Sequence, residues 1–146
     1  MSIRTATLSD VEALTDLFEA YRVWYEKPAD RTAARTFLEE RLSRNESVVY
    51  VAEADGQLVG FTQLYPIFSS TRMKRLWLLN DLFVAPEYRG RGLSKLLLER
   101  AKQLAAETDA CEIMLETQVT NDIGNQLYPS AGFELGIGVN WYYWER

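Results

Sequence analysis

The sequence has no histidine and only one cysteine, Cys111, among its 146 residues. Without histidine, the most common general base and metal ligand is missing, so acid–base chemistry falls to Asp, Glu, Tyr, Lys, Cys or water, and no metal site is expected. One cysteine excludes an internal disulfide and is typical of a reducing compartment, which predicts a cytoplasmic location. An acyl-cysteine route is not expected either, because Cys111 has no histidine partner.

Long apolar runs are also missing. No segment is apolar over the length that a membrane span needs, and the first ten residues lack the apolar core of a signal peptide. The net charge of −5 argues against nucleic acid as the main partner and favours a cationic one. No repeat, linker or low-complexity segment interrupts the chain, so one domain over residues 1–146 is predicted.

Residues 78–99, which read LLNDLFVAPEYRGRGLSKLLLE, organise the rest of the chain. An apolar strand is followed by Pro86, by Arg89-Gly90-Arg91-Gly92, and by an amphipathic helix whose apolar face is expected to hold Leu93, Leu96, Leu97 and Ala101. The first N–H groups of a helix lack partners and carry partial positive charge, and glycine lets a phosphate approach the backbone. The stretch predicts a pyrophosphate-binding loop. An ordinary helix start after a tight turn is the alternative.

Hydrophobic periodicity predicts the elements before this stretch. We expect a first strand near residues 3–7, a helix opened by a capping box of Ser9 and Glu12, and a second helix ending near Asn45. Residues 47–53 and 58–65 read as strands joined by a hairpin turn at residues 55–56, with a bulge at Gly60 and a turn at Pro66.

The elements after it follow the same reasoning. Residues 74–84 complete an antiparallel meander of strands two to four, and the long helix leads into a fifth strand at residues 111–117, parallel to strand four. Asn121 caps a short helix that reaches Tyr128 and stops before Gly132. Residues 133–137 and 139–144 read as a closing pair of strands.

The spacing Arg89-x-x-Gly92 after a strand resembles the acyl-CoA loop of the GNAT superfamily of N-acetyltransferases, with Ser94 where that family has Gly or Ala. A second resemblance to the same family lies in Asn121, Leu127-Tyr128 and Gly132-Phe133. Residues 79–84 and 86–90, together with the aromatic C-terminus, look most like the amine and polyamine (spermidine/spermine-type) subgroup.

The resemblance implies an α/β (α+β) fold: a mixed, mostly antiparallel sheet of about seven strands with about four helices. Strands four and five would splay apart at a bulge in strand four. It also implies acetyl-CoA as co-substrate. The expected cofactor-binding residues are Leu82, Phe83 and Val84 along the pantetheine arm, Arg89, Gly90, Arg91, Gly92, Leu93 and Ser94 at the pyrophosphate, and Asn121 and Tyr128 near the arm.

In this scheme a neutral amine attacks the thioester, and Tyr128 protonates the departing thiolate. Tyr128 as a packed aromatic is the alternative. The base is left open: Asn80 cannot accept a proton, whereas Asp81, Glu116, Asp122 or a water chain can. Asp81 is expected to point to the opposite face of the strand from Asn80.

The substrate-binding candidates are Trp24, Tyr25, Asn80 and Asp81, with the two rings suited to hold a cationic amine by cation–π contact. Core packing is the alternative reading of the two rings.

Three functional hypotheses follow. The first is an acetyl-CoA-dependent N-acetyltransferase acting on a small cationic primary amine. The second is the same enzyme class acting on a protein lysine or N-terminus, and the third is a non-catalytic acyl-CoA-binding module. A homodimer is expected, with the aromatic segment 141–144 as its interface. No nucleic acid or membrane partner is expected.

Overall fold

A computed structural model describes all 146 residues. By their contacts the residues form two compact units, Met1–Glu116 and Thr117–Arg146. No helix is both long enough and apolar enough to cross a bilayer. The first unit contains β1 (Ser2–Thr5), a 3-10 turn (Leu8–Asp10), α1 (Val11–Trp24), α2 (Arg31–Ser43), β2 (Val48–Ala54), β3 (Gln57–Ser69), β4 (Lys74–Val84), a 3-10 turn (Pro86–Tyr88), α3 (Leu93–Glu107) and β5 (Ile113–Met114); the second contains α4 (Asp122–Ser130).

The sheet has five strands in the order β1-β2-β3-β4-β5. The first four pair antiparallel, and β5 pairs parallel to β4 after the α3 crossover. The predicted meander and the predicted parallel pair are therefore confirmed. The predicted sheet of about seven strands is wrong by two, because residues 133–137 and 139–144 find no pairing segment and form no strand.

Helices cover both faces of the sheet in the first unit. The main core cluster joins α1 and α2 to inward side chains of β2, β3 and β4. Its members include Leu14, Phe18 and Leu38 from the helices and Val51 and Phe61 from the strands. Tyr50 points to the other face, where the Arg100 guanidinium of α3 lies 4.3 Å from its ring centroid. This alternation along β2 is the two-residue period of a strand with both faces buried.

The buried side of α3 differs from the prediction at one position. Leu93, Leu97, Leu98, Ala101 and Leu104 are buried, whereas Leu96 is 48% exposed. The helix has 3.6 residues per turn, so the buried stripe follows the i, i+4, i+8 row that starts at Leu93. Leu96 lies beside this row, on the side that faces solvent.

The start of α1 also differs from the prediction. The capping pair is Thr7 and Asp10, which close the 3-10 turn leading into α1, not Ser9 and Glu12: the Asp10 carboxylate accepts the Thr7 backbone N–H at 2.8 Å. Arg4 holds this carboxylate with two hydrogen bonds of 2.8 Å, which lower the pKa of Asp10 to about 2. A tertiary ion pair from β1 therefore selected the capping residue.

Strand β3 runs straight through Pro66, where a turn was predicted. Pro66 lies opposite Trp77, whose N–H donates to Glu112 on the far side of β4. The Pro66 nitrogen therefore points away from β4, past the end of β2, whose first pair is Val48 with Leu64. No ladder bond is lost there, so proline is tolerated.

A bulge in β4 divides the strand into two parts. Gln63 pairs with Asp81 and Leu64 with Leu79, so Asn80 is the extra residue. The β4–β5 pairing covers only Trp77 and Leu78 and ends just before this bulge. Both the predicted bulge and the predicted parting of the two strands are present.

Because β5 loses its partner there, the predicted strand 111–117 shrinks to Ile113–Met114, and Glu116 lies beyond it, exposed. A second register shift lies beside Gly60, where Val59 is the extra residue. Gly60 itself is needed for close approach, since a Cβ there would lie 2.8 Å from the Phe83 carbonyl oxygen.

Candidate active site

The outer edge of β4 beyond the bulge has free backbone groups. The Ala85 N–H donates to Val59 at 2.9 Å, which identifies residues 85 and 59 as a hydrogen-bonded pair. Bonded pairs alternate along an antiparallel ladder. Leu82 and Val84 therefore direct their N–H and C=O groups away from β3, to the side that β5 has left. Such an edge can pair with an extended ligand as with an added strand.

Phe83 does not belong to this edge. By the same alternation its backbone groups face Phe61 of β3, and its side chain is 6% exposed within the core cluster. The side chain of Phe83 thus packs in the core, and its place among the cofactor-binding residues stays a prediction.

The loop between β4 and α3 presents unpaired amides. Gly90 and Gly92 have φ values of +74° and +80°, and a Cβ at either position would meet nothing within 4 Å. Gly92 is the N-cap of α3 and offers no side-chain cap, and the first helical bond runs from Leu96 N–H to Gly92 at 3.1 Å. The N–H groups of Leu93 and Ser94 are left for a ligand, and the helix dipole makes them attractive to an anion. The loop fits a phosphate group.

Two arginines of this loop are packed against aromatic rings. The Arg89 guanidinium lies 4.8 Å from the Trp24 ring centroid, and its Nε donates to Val84 O at 2.9 Å. The Arg91 guanidinium lies 5.0 Å from the Tyr88 ring. Both side chains therefore hold positive charge at the loop. The ring of Trp24, predicted to hold a substrate amine, carries an arginine in this structure.

Asp81 is a buried carboxyl group, 3% exposed, directly after the bulge. It accepts hydrogen bonds from Gln63 Nε2 at 2.8 Å and from Asn80 Nδ2 at 3.1 Å, and it forms no ion pair. Burial raises the pKa of Asp81, and hydrogen bonds from Gln63, Tyr21 and Asn80 partly oppose that rise. Asn80 is exposed, but its side-chain amide reaches the Asp81 carboxylate, so the prediction that the two side chains point to opposite faces is wrong: the bulge at Asn80 interrupts the alternation.

Three tyrosines surround this carboxyl group. Tyr21 reaches it with its hydroxyl and also donates to Asn80 O at 3.3 Å. Burial and then the Asp81 charge raise the phenol pKa of Tyr25 and Tyr65. Tyr25 is 39% exposed and is therefore the outermost of the set. Phenol rings beside a carboxylate without a cation form a suitable site for an ammonium group.

Gln63 and Tyr65 were not among the residues predicted from the sequence. Tyr21 belongs to the aromatic cluster with Trp24 and Tyr25, whose rings were predicted either to pack in the core or to line a substrate pocket. Gln63 is fully buried in a strand segment whose neighbours Phe61, Thr62 and Leu64 are also fully buried. One signal was available: a glutamine within a buried apolar strand requires polar partners.

The second unit holds Asn121 at the start of α4. Its Oδ1 accepts the Gly124 N–H at 3.0 Å, and its Nδ2 donates to Thr117 Oγ1 at 2.9 Å. A Cβ at position 124 would lie 2.6 Å from Asn121 Nδ2, so glycine makes room for the cap. The predicted helix cap is confirmed.

Tyr128 is fixed by the way α4 ends. Gly132 has a φ of +85°, its N–H bonds Pro129 O at 3.0 Å, and the Phe133 N–H bonds Tyr128 O at 3.0 Å. This is a Schellman motif, in which the residues at its two ends usually make an apolar contact. Here the Tyr128 and Phe133 rings meet edge to face, 6.2 Å between centroids. The Gly132-Phe133 pair thus sets the position of the Tyr128 ring within its unit.

The remaining candidate bases, Glu116 and Asp122, are both exposed. Asp122 is the first residue of α4, where a carboxylate complements the helix dipole. No three His, Cys, Asp or Glu side chains are grouped to hold a metal ion.

Comparison with known proteins agrees with this geometry. The profile of the acetyltransferase (GNAT) family matches residues 12–133. An uncharacterized N-acetyltransferase of Bacillus subtilis, YhfO, is 43% identical over 142 residues, which are 97% of this chain and 95% of YhfO. The crystal structure of a probable acetyltransferase superposes with a TM-score of 0.96 at 42% identity, covering 100% of this chain and 98% of the other.

Two more distant structures share the fold. A ribosomal-protein-alanine N-acetyltransferase from Brucella melitensis biovar Abortus 2308 has a TM-score of 0.81 at 20% identity, with 99% and 100% of the chains covered. AAC(6')-Iy, in complex with a bisubstrate analog of CoA, has a TM-score of 0.81 at 24% identity, with 99% and 98% covered.

The chain therefore belongs to the GNAT acetyltransferase family. It is an N-acetyltransferase, and enzymes of this family use acetyl-CoA.

Proposed function

We propose that this enzyme transfers the acetyl group of acetyl-CoA to a small cationic primary amine by direct attack of the amine on the thioester. The observation that carries the proposal is Asp81, a carboxyl group that is 3% exposed and has no ion-pair partner. An unpaired carboxylate among Tyr21, Tyr25 and Tyr65 attracts an ammonium group and offers it an acceptor for one proton.

The donor would be bound at the β4–α3 loop and along the open edge of β4. The amides of residues 89–94 would hold the diphosphate, with Gly90 and Gly92 leaving space for it. The Leu82 carbonyl oxygen and the Val84 N–H would bond the pantetheine arm, because Arg89 already holds the Val84 carbonyl oxygen, and the Leu82 N–H would polarise the acetyl carbonyl. Bound acetyl-CoA supplies the activated acyl group.

Proton movements would be divided between two residues. The ammonium form of the substrate must lose a proton before it attacks, and Asp81, whose pKa is raised by burial, would accept it. The thiolate that leaves would gain a proton from Tyr128, with Asn121 near the pantetheine arm. In this proposal Trp24, Tyr25 and Asn80 line the path by which the amine enters the site. Glu116 orients the amine.

The wider organisation belongs to the same proposal. The family profile spans residues of both units, which supports treating residues 1–146 as one acetyltransferase domain. A homodimer through the C-terminal segment is supported by its exposure: Leu135, Ile137, Trp141 and Trp144 are between 64% and 85% exposed. Exposed apolar patches of this kind mark interaction surfaces.

A substrate screen tests the acceptor class. The enzyme with acetyl-CoA should acetylate free mono- and polyamines faster than peptides with lysine or N-terminal amines. Preferential acetylation of peptides would refute the small-amine acceptor and favour the protein-directed alternative.

Exchange of Tyr128 for Phe tests the acid. Tyr128→Phe keeps the ring contact with Phe133 and removes the hydroxyl, so kcat should fall by about 10²–10⁴, with acetyl-CoA affinity maintained. Turnover equal to wild type at every pH would contradict the acid role.

A further inference from the structure

The Asp81 carboxyl group is linked to a second buried side chain and, through it, to a third. Gln63 Nε2 donates to Asp81 Oδ2 at 2.8 Å, and Ser47 Oγ donates to Gln63 Oε1 at 2.8 Å. Gln63 is 0% exposed and Ser47 is 7% exposed. Buried polar groups of this kind depend on one another, because each would lose a bond that no water replaces.

These hydrogen bonds determine which end of the Gln63 carboxamide, the oxygen or the NH₂ group, points at Asp81. With the opposite orientation, Gln63 Oε1 would lie at hydrogen-bond distance from a carboxylate oxygen, and two acceptors would face each other. The Asp81 carboxylate can only accept, so it sets the orientation in which the NH₂ group points at it, and the Ser47 hydroxyl holds that orientation by donating to Oε1. Sheet register brings the groups together: Gln63 is paired with Asp81 on one side and with Val49, two residues after Ser47, on the other.

We propose that Gln63 is a positioning residue for proton transfer to Asp81, and that Ser47 fixes the orientation in which Gln63 acts. The inference rests on the proposed function, in which the substrate ammonium gives a proton to Asp81. In that step the N–H bond breaks, its electron pair stays on nitrogen for the attack, and an O–H bond forms at Asp81. The Gln63 N–H stabilises the charged carboxylate and so keeps Asp81 in the form that can accept a proton.

Other titratable groups around Asp81 do not replace this effect. Tyr21 and Tyr25 face it from α1 and its C-terminal end, and Tyr65 faces it from β3. Arg41 of α2 acts on Tyr65 and opposes the rise of the Tyr65 pKa, and no cation is among the groups that shift the pKa of Asp81. No charged group offsets the burial of Asp81, so hydrogen bonds from Gln63, Tyr21 and Asn80 are what stabilise its charge.

The test is a carbon-13 NMR titration of the Asp81 carboxyl group in the full chain. Gln63→Met keeps the side-chain length and removes the donor, so the Asp81 pKa should rise by about one to two units, the equivalent of one hydrogen bond to a charged group. Ser47→Ala should produce a smaller rise, and Ser47→Thr, which restores a hydroxyl, should bring the pKa back.

Thr15→Val is the matched control. Thr15 is also fully buried, and its hydroxyl donates to Val11 O at 2.6 Å, outside the chain of bonds to Asp81. Its loss removes a buried hydrogen bond without touching Gln63, so the Asp81 pKa should stay at the wild-type value. A shift as large as that of Gln63→Met would overturn the proposal.

The acidic limb of the kcat/KM profile is the second readout and should move by the same amount as the NMR pKa. An unchanged Asp81 pKa in folded Gln63→Met overturns the inference; if that variant does not fold, an unchanged pKa in Ser47→Ala does so. A raised NMR pKa with an unmoved kinetic limb also overturns the catalytic role of Gln63 and shows separately that Asp81 is not the base.

Discussion

At position 81 the chain buries a carboxyl group among two amides and three phenols, without a cation. Such a group is unfavourable for folding, because burial of a charge is only partly offset by its hydrogen bonds. Natural proteins retain groups of this kind where function requires them. The same burial that lowers stability raises the pKa of Asp81 and makes the group a better proton acceptor.

Asp81→Asn should therefore separate stability from activity. The amide oxygen can still accept from Gln63, so the variant should have a higher Tm, by about 2–4 °C for each kcal/mol recovered. Its kcat/KM should fall by about 10²–10⁴ because the base is gone. Calorimetry and steady-state kinetics measure the two effects. Asp16→Asn, at a surface carboxylate that is 70% exposed, should change neither.

The pH dependence of that stability gain has a definite sign. The pKa of Asp81 is raised above its ordinary 3.8, so the folded protein keeps the proton to a higher pH than the unfolded chain. The contribution of Asp81 to wild-type stability falls as pH rises from about 3.8 through the folded-state pKa and does not recover above it. The gain from Asp81→Asn should be absent below this window and complete above it. A gain that is largest in acid would contradict the assignment.

At the scale of elements, β4 and its junction with α3 provide most of the candidate active site. The bulge at Asn80 ends the contact with β5 and brings Asp81 to the α1 face, and the strand beyond it presents Leu82 and Val84 at an open edge. Gly90 and Gly92 then lead into α3, whose first backbone N–H groups have no side-chain cap. One continuous segment thus provides the proton acceptor, the edge and the anion loop.

The anion loop can be tested with one added charge. Asparagine and aspartate both tolerate the positive φ of Gly92 and have similar shape, so Gly92→Asn and Gly92→Asp differ mainly in one negative charge. CoA affinity, measured by isothermal titration, should be at least about tenfold weaker for the aspartate variant, and added salt should narrow the difference. Equal affinities of the two variants for CoA would show that the diphosphate does not bind at this loop.

Gly56 provides the control for that experiment. Its φ of +76° matches the +80° of Gly92, and it lies in the β2–β3 hairpin turn. Gly56→Asn and Gly56→Asp should affect thermal stability as the Gly92 pair does and leave CoA affinity unchanged. A loss of affinity there would point to global destabilisation.

At the scale of the whole molecule, the C-terminal segment is the feature whose apolar side chains the single chain does not bury. Apolar side chains alternate from Phe133 through Leu135, Ile137, Val139 and Trp141 to Tyr143, the pattern of a strand with one apolar face. No strand forms there, and the side chains from Leu135 to Tyr143 in this set are exposed, whereas Phe133 packs against Tyr128. A second copy of the chain is the partner we expect to cover this face.

Light scattering should therefore find a dimer for the wild-type enzyme. A double change of Leu135 and Ile137 to Glu should produce monomers, because it puts two charges on the apolar face of the segment. Val119→Glu, at a position 92% exposed in the same unit but outside the segment, should leave the dimer intact. A wild-type monomer would refute the dimer proposal.

Much of the site was accessible from local sequence signals. The glycines at 90 and 92, the Asn121 cap and the stop of α4 before Gly132 follow from turn and capping chemistry, which acts over a few residues. The set of bonds around Asp81 was not accessible. Gln63 lies 18 residues from Asp81 and Ser47 lies 16 residues from Gln63, and only strand register brings them together.

The sequence by itself determined the antiparallel meander, the parallel crossover and the glycine loop, because each follows from hydrophobic period or backbone preference within one segment. The tertiary structure decided which carboxyl group is buried, how far β5 extends, that Arg4 selects Asp10 as the capping residue, and that Phe83 packs in the core. Those outcomes depend on contacts between distant segments, and a bulge of one residue reverses the face on which every later side chain of its strand lies.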